Sequence, residues 1–349
     1  MMVKKCGFIF LSLMLMLSIM SSVISYLPEA AAQDRPKNIK VNIVGFVPST
    51  GMHLRAELVA EALRREYQDW AVKALATPKA VGDVLRHRRG RTAQFFISLM
   101  PWALAKQSYG PGFKKRGVDF AKEYPWNPVI TTGQALVHFL MLNKTGLTSV
   151  KDIVDKKYPL KVGYSSPGGH ATLFNTMLEF YGASMKDLLK WGGKYVNINV
   201  GSPVGSEMMR AGKIEAGFGW MGVPNPPFLQ ANLDWRMLPI AEEDGMLRNM
   251  QKWGFVRAVI PPGVYPWVKK DLITVAQTKW LGAIPGSMPE DWAYWVAKGV
   301  WNQRKFLIAS HRVFNTAMNP DFIVSSLRAL TNTPHPGAMK FYREQGWIK

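Results

Sequence analysis

A strand, a short loop of small residues and a helix follow one another twice in this chain. Apolar residues cluster over residues 38–46, residues 48–51 supply Pro, Ser, Thr and Gly, and apolar residues at helical spacing begin at Leu54. The same order recurs over residues 160–181, where Ser, Pro and Gly fill the loop at 165–169. Alternating strands and helices predict an α/β fold with a largely parallel sheet.

The first 32 residues contain the three parts of an export signal. Two lysines precede an apolar run over residues 8–17, and three alanines follow at 30–32. We therefore expect residues 1–32 to be a cleaved signal peptide, with the mature chain starting near Gln33. A retained membrane anchor is the alternative, but serines interrupt the apolar run and leave it short for a membrane span.

The chain is strongly basic, with 44 Lys and Arg against 24 Asp and Glu and a net charge of +20. Its single cysteine, Cys6, lies in the predicted signal, so the mature protein has no disulfide and depends on a large apolar core. The basic residues are scattered and form no nucleic-acid motif, and we expect no nucleic-acid partner. An anionic ligand, an anionic lipid surface or a generally basic proteome would each account for the charge.

The two small-residue loops are the first candidates for a ligand site. A helix that begins after such a loop presents unpaired amide groups with partial positive charge, and ligands of open α/β folds bind beyond the carboxyl ends of the strands. Ordinary Gly and Ser turns are the alternative interpretation. The candidates in these loops are Ser49, Thr50, Gly51, Ser165, Ser166, Gly168, Gly169 and His170.

Four further residues are candidates to contact a ligand. His53 could pair with a carboxylate or be a plain surface histidine, and Ser98 lies near the end of the third predicted strand, over residues 95–99. Trp220 follows an apolar strand and precedes a turn at Asn225; an aromatic residue there either lines a ligand site or packs in the core. Arg55, in the same helical turn as His53, is interpreted as an exposed helix residue.

Five segments, in this order, carry a resemblance to a known family. They are residues 212–218, 222–226, 259–266, 288–291 and 335–342. The chain resembles the TAXI family of TRAP-transporter solute receptors. This resemblance implies the type II periplasmic-binding-protein fold, in which two α/β lobes are joined by two hinge-crossing strands and close around a small ligand. It also implies delivery of that ligand to a TRAP-type membrane permease driven by an ion gradient.

The resemblance also implies a division of the mature chain in which the first lobe contains both termini. We expect residues 33–138 and 278–349 to form the first lobe and residues 139–277 the second. The crossing strands are expected near residues 135–143 and 272–282. Over residues 289–308, helical spacing predicts one continuous helix.

The chain departs from the family pattern after its third strand, where residues 98–100 read Ser-Leu-Met in place of a Gln-Ser-Asp run. Hydroxyl and carboxylate groups are lost there and apolar surface is gained. A small carboxylate remains the expected ligand, and an aromatic or branched acid is favoured over a glutamate-like one.

Other classes of function receive less support from the residues. The sequence has no Gly-x-Ser-x-Gly elbow, no phosphate-binding loop and no His-Glu-x-x-His motif, and its six histidines lack metal-ligand spacing. We therefore expect no enzyme activity, catalytic residue, metal or cofactor, and a monomeric periplasmic protein. A receptor that signals to a membrane sensor is the alternative to transport. A regulator's effector domain would need a DNA-binding helix pair, whereas the N-terminus has an export signal.

Overall fold

The computed structural model describes residues 34–46, 48, 51–77, 93–99, 101–115, 117, 119–123, 125–164, 168–198, 200–221 and 223–349. Residues 37–349 belong to one compact unit, and every helix and strand given below lies in it. The predicted signal peptide, residues 1–32, lies outside the described residues.

In the described part of the chain, ten strands form one sheet. They are β1 (Lys40–Val44), β2 (Ala71–Leu75), β3 (Phe95–Leu99), β4 (Asn127–Leu142), β5 (Lys161–Tyr164), β6 (Lys194–Asn197), β7 (Ala216–Met221), β8 (Trp235–Leu238), β9 (Phe255–Ile260) and β10 (Leu272–Ala283). The helices are α1 (Gly51–Glu66), α2 (Trp102–Lys114), α3 (Phe120–Glu123), α4 (Val150–Asp155), α5 (Gly169–Phe180), α6 (Met185–Lys190), α7 (Pro203–Arg210), α8 (Pro226–Gln230), α9 (Asp244–Gln251), α10 (Glu290–Asn302), α11 (Arg304–Ser310), α12 (Val313–Ala317), α13 (Pro320–Ala329) and α14 (Pro336–Glu344).

Several helices begin where the sequence supplies a capping side chain. Ser149, Ser184 and Ser202 each accept a hydrogen bond from a backbone N–H in the first turn of α4, α6 and α7. Asn319 does the same for α13. A cap of this kind stabilises a helix by about 1 kcal/mol, because it pairs a donor that has no partner within the helix.

Two groups of parallel strands are joined through the centre of the sheet. The strand order is β2-β1-β3-β10-β4-β7-β5-β6, with β8 also paired to β4 and β9 to β10. Strand β1 is parallel to β2 and β3, and β5 is parallel to β6 and β7. The two central strands, β4 and β10, run antiparallel to each other.

Each central strand belongs to both groups. Residues 272–277 of β10 pair with β9, whereas its residues 280–283 pair with β3. In β4, residues 136–142 pair with β7 and β8, and residues 127–131 lie beside the β3 end of β10. The fold is therefore α/β with two lobes joined by two crossing strands, the type II periplasmic-binding-protein architecture that the family resemblance implies.

The first crossing strand begins earlier than predicted, at Asn127. Pro128 and Gly133 interrupt the apolar pattern of residues 127–134, and both residue types are rare inside strands. Pro128 is tolerated because it lies close to the start of the strand, where its carbonyl accepts a hydrogen bond from His335 N at 2.9 Å. Gly133 has φ +128° and lies where β4 and β10 slip in register.

The single helix predicted over residues 289–308 is wrong, because the structure has two helices that meet at Gln303. That residue leaves the helical region, with φ −88° and ψ 14°. The side-chain amide groups of Asn302 and Gln303 both donate hydrogen bonds to the carboxylate of Glu66, at 2.7 and 2.8 Å. One acidic side chain at the end of α1 thus fixes the change of direction between α10 and α11.

Candidate functional site

The structure describes seven of the twelve predicted site residues in full. Ser49, Thr50, Ser165 and Ser166 lie outside the described residues, and their ligand contacts remain predictions. For Ser98 the structure describes the backbone, in β3, but not the side chain. The described candidates are Gly51, His53, Gly168, Gly169, His170, Trp220 and Asn225.

Three of the predicted residues lie together where α5 begins. Gly168 precedes the helix without a side-chain cap, and Gly169 is its first residue. A Cβ atom on Gly169 would lie 2.0 Å from Cη2 of Trp220, so the backbone passes directly over the indole. The His170 ring lies beside the same indole, with 4.3 Å between ring centroids.

Replacing Gly169 with alanine should disturb this contact strongly. The new methyl group overlaps the Trp220 ring, so we expect the free energy of unfolding to fall by about 1–3 kcal/mol, as for other overpacked sites. Gly112→Ala is the matched control, because nothing lies within 4 Å of a Cβ at that helix position. Urea denaturation of both variants tests the contact, and an unchanged midpoint for Gly169→Ala would contradict it.

Lys279, which sequence reasoning missed, lies against the same indole. Its Nζ atom is 5.9 Å from the Trp220 ring centroid and donates a hydrogen bond to Oε1 of Gln277. The side chain is largely surrounded by protein but keeps some accessible surface. Burial, with a smaller contribution from the charge of Arg55, lowers the pKa of Lys279 to about 7.

Other basic groups interact with Lys279 or with its neighbour Arg55. Burial lowers the pKa of Arg55, in the first turn of α1, to about 10, which leaves the guanidinium charged at neutral pH. Burial and the charge of Lys279 together lower the pKa of His170 to about 3 and keep that ring neutral. The pKa of His311 is lowered by burial and by Arg55 and Arg312. Among the described residues, no carboxylate forms an ion pair with Lys279.

His53 is held within its own lobe. Its Nε2 atom lies 3.4 Å from a carboxylate oxygen of Glu57, one turn further along α1. Its Nδ1 atom lies 2.7 Å from where a Cβ of Gly45 would be, so the ring packs closely on the end of β1. Pairing of His53 with a ligand carboxylate remains a prediction, whereas the plain surface histidine is wrong because the side chain is only 13% exposed.

Asn225 uses its side-chain oxygen in the fold. Oδ1 accepts a hydrogen bond from Phe228 N at 3.2 Å and so caps α8. The backbone N–H of Asn225 donates to the Tyr265 hydroxyl at 2.8 Å, and that hydroxyl donates to His138 Nε2 at 2.8 Å. His138 Nδ1 in turn donates to the carbonyl of Leu136 at 3.0 Å. This chain of bonds positions the segment after β7, and the amide oxygen of Asn225 is already used by the helix.

The two lobes touch around this region. The Arg312 guanidinium, next to α12, donates to the carbonyl of Pro224 at 3.0 Å. The hydroxyls of Ser108 in α2 and Thr172 in α5 lie 3.5 Å apart. The basic and aromatic cluster therefore lies at the junction of the lobes, close to where β10 crosses.

Neither a metal site nor a membrane-spanning helix is found in the part of the chain that the structure describes. No three His, Cys, Asp or Glu side chains there are grouped to hold a metal ion. None of the described helices combines the length and the apolar character needed to cross a membrane.

Several solved structures are similar to this chain at low sequence identity. A TctC solute-binding protein from Polaromonas is 12% identical, with a TM-score of 0.47 over 88% of this chain and 98% of that one. MatC from Rhodopseudomonas palustris, with bound malate, is 12% identical with a TM-score of 0.44 over 88% and 97%. PhnD1 from Prochlorococcus marinus, in complex with methylphosphonate, is 12% identical with a TM-score of 0.45 over 88% and 99%. These identities are too low to transfer residue roles.

A match to a family covers both crossing strands, the strands β5 to β9 between them and the five helices that follow β10. It extends over residues 123–346 and thus includes Trp220 and Lys279. Because this match covers well over half of the chain, the protein belongs to the NMT1-like family.

Proposed function

We propose that the protein is an exported solute receptor that captures a small anionic organic solute, a carboxylate, between its two lobes. The observation that carries this proposal is the convergence of Arg55, His170, Trp220 and Lys279 from α1, α5, β7 and β10. Charged and aromatic groups contributed by both lobes and by a crossing strand can bind a ligand and hold the lobes closed at the same time.

We also propose that the protein is a TAXI-type receptor that passes its ligand to the permease subunits of a TRAP transporter. Family membership supports this proposal, because all five resembling segments lie within the matched residues 123–346. A receptor that instead reports its closed state to a membrane sensor has the same fold. Permease genes beside this gene would favour transport, and a histidine kinase gene would favour sensing.

The organisation of the chain belongs to the same proposal. Residues 1–32 act as a cleaved signal, so that a monomeric receptor starting near Gln33 works in the periplasm. Residues 33–138 and 278–349 form the lobe with both termini, and residues 139–277 form the other. The pairing of β10 with β9 before residue 278 and with β3 after it supports the second boundary.

Binding without catalysis is the function we propose for the cluster. In its described part, Lys279 and the neutral ring of His170 have no carboxylate partner of the kind that orients a general base. The proposed ligand shell combines these groups with the predicted loop residues, which are Ser49, Thr50, Gly51, His53, Ser98, Ser165, Ser166, Gly168 and Gly169.

Thermal denaturation with a panel of organic acids tests the receptor function. An acid that binds the folded chain raises its stability by about 2.7 kcal/mol when present at about 100 times its dissociation constant. We expect at least one aromatic or branched acid to raise the melting temperature and its neutral amide to have a smaller effect. Mass spectrometry of the purified protein should detect an acid carried through purification. No melting shift with any acid, together with no retained ligand, would refute the proposal.

A further inference from the structure

Lys279 lies at the bend where β10 passes from one lobe to the other. The pairing of β10 with β4 slips in register between Lys279 and Trp280, opposite Gly133. A register slip of this kind bends a strand and turns a side chain out of its regular direction. A charged residue in an otherwise buried central strand is uncommon, and burying its charge is costly unless something compensates it.

The polar atoms around Lys279 are mostly donors. Gln277 is fully buried, its Oε1 accepts from Lys279, and its Nε2 has no partner among the described residues. The indole Nε1 of Trp220 is likewise buried without a described partner. A lysine ammonium, an amide N–H and an indole N–H can donate hydrogen bonds but cannot accept them.

The positive charges of the cluster also favour a ligand that carries negative charge and hydrogen-bond acceptors. Arg55 is close enough to Lys279 to lower the pKa of the lysine, and Lys279 in turn lowers the pKa of His170. A ligand with negative charge relieves the repulsion between the two cations, whereas a ligand ammonium group adds to it. The cluster therefore suits a ligand that presents only acceptors.

Resting on the proposed receptor function, we propose that Lys279, Gln277 and the Trp220 indole form the subsite for the carboxylate end of a 2-oxo acid, and that this subsite rejects the matching amino acid. The two carboxylate oxygens and the adjacent carbonyl oxygen supply acceptors for the ammonium and the two N–H groups. Replacing the carbonyl with an ammonium group removes one acceptor and places a third cation beside Arg55 and Lys279.

Pairs of acids that differ only at the second carbon test this assignment. The probes are 4-methyl-2-oxopentanoate against leucine and 2-oxoglutarate against glutamate, titrated calorimetrically into the mature protein. We expect at least one 2-oxo acid to bind the wild type and its amino acid to bind roughly 10- to 100-fold more weakly, since one charge-assisted hydrogen bond is worth a factor of that size.

Variants of the lysine test its role. Lys279→Met keeps the length of the side chain and removes the charge, and we expect it to lose roughly 10- to 100-fold in affinity for the 2-oxo acid. Lys279→Gln is a second variant in case the first does not fold. Lys190→Met is the matched control, because the Lys190 side chain is 77% exposed and does not belong to the cluster around Lys279. The affinity of this variant for the 2-oxo acid should equal that of the wild type.

The outcomes separate the two proposals. Wild-type binding of a 2-oxo acid that Lys279→Met retains in full overturns the role of Lys279 but leaves the receptor function intact. Equal affinity for an oxo acid and its amino acid overturns the acceptor-only subsite. Failure of the wild type to bind any acid, here and in the melting experiment, overturns the receptor function and this subsite together.

Discussion

Acidification from pH 6.5 to about pH 4 is expected to lower the free energy of unfolding by about 3 kcal/mol through His138 alone. Burial lowers the pKa of this imidazole from 6.5 to about 4, and hydrogen bonds from the imidazole to the backbone of Leu136 and Gly219 oppose this only in part. The ring is therefore neutral in the folded protein throughout this range, with Nδ1 donating to Leu136 and Nε2 accepting from Tyr265.

The free energy of unfolding falls on acidification because the unfolded chain takes up the proton first. Below pH 6.5 the imidazole of the unfolded chain binds a proton, whereas the folded protein does not bind it until about pH 4. Protons therefore favour the unfolded state, and the stability due to neutral His138 is present above pH 6.5 and lost as the pH falls towards 4. The neutral ring of His170 adds to the loss in the same direction.

Urea denaturation at a series of pH values measures this effect. His138→Gln is the informative variant, because its amide oxygen can still accept from Tyr265 but cannot take up a proton. We expect the variant to lose less stability than the wild type between pH 6.5 and pH 4, whatever its stability at neutral pH. Identical losses in the two proteins would show that His138 does not have the lowered pKa.

The alternation of strands and helices was sufficient to predict the fold class. Each strand–loop–helix unit has a local pattern that a single sequence displays, and β1 with α1 and β5 with α5 follow one another where the sequence predicts them. The break at Gln303 was not predictable in this way, because it depends on Glu66, which is distant in the sequence. The sequence did not predict the early start of β4, because Pro128 and Gly133 disfavour a strand locally. This segment is a strand because it pairs with β10, which is distant in the sequence.

The candidate site was predicted only in part, for a similar reason. Gly169, His170 and Trp220 follow from the rule that ligands meet the ends of strands and the starts of helices. Lys279 lies in the middle of a strand, where that rule does not apply. One signal was present, since Gln277 and Lys279 are polar residues within a central strand and such residues need a local reason. The helix-capping role of Asn225 could also be expected from the proline that follows it.

Affinity for a 2-oxo acid is expected to fall as the pH rises above 7, because the free protein then loses the charge of Lys279. The groups that face this lysine do not change charge just above pH 7. Arg55 stays protonated up to about pH 10, His170 is already neutral, and Trp220 and Gln277 do not titrate. Among the described residues of the cluster, Lys279 alone changes charge in this window.

The size of the effect follows from the protonated fraction of Lys279. A bound carboxylate raises the pKa of the lysine, so that binding above pH 7 requires the uptake of one proton. The association constant then falls about tenfold for each pH unit, until the charge of Arg55 alone holds the ligand.

The association constants measured by calorimetric titration at about pH 6 and about pH 9 should therefore differ by up to roughly 100-fold for the wild type. Lys279→Met should bind weakly and with nearly the same affinity at both values. A pH-independent wild type would mean that Lys279 keeps its charge in the free cleft or does not touch the ligand, whereas the same fall in both proteins would assign the titration to another group.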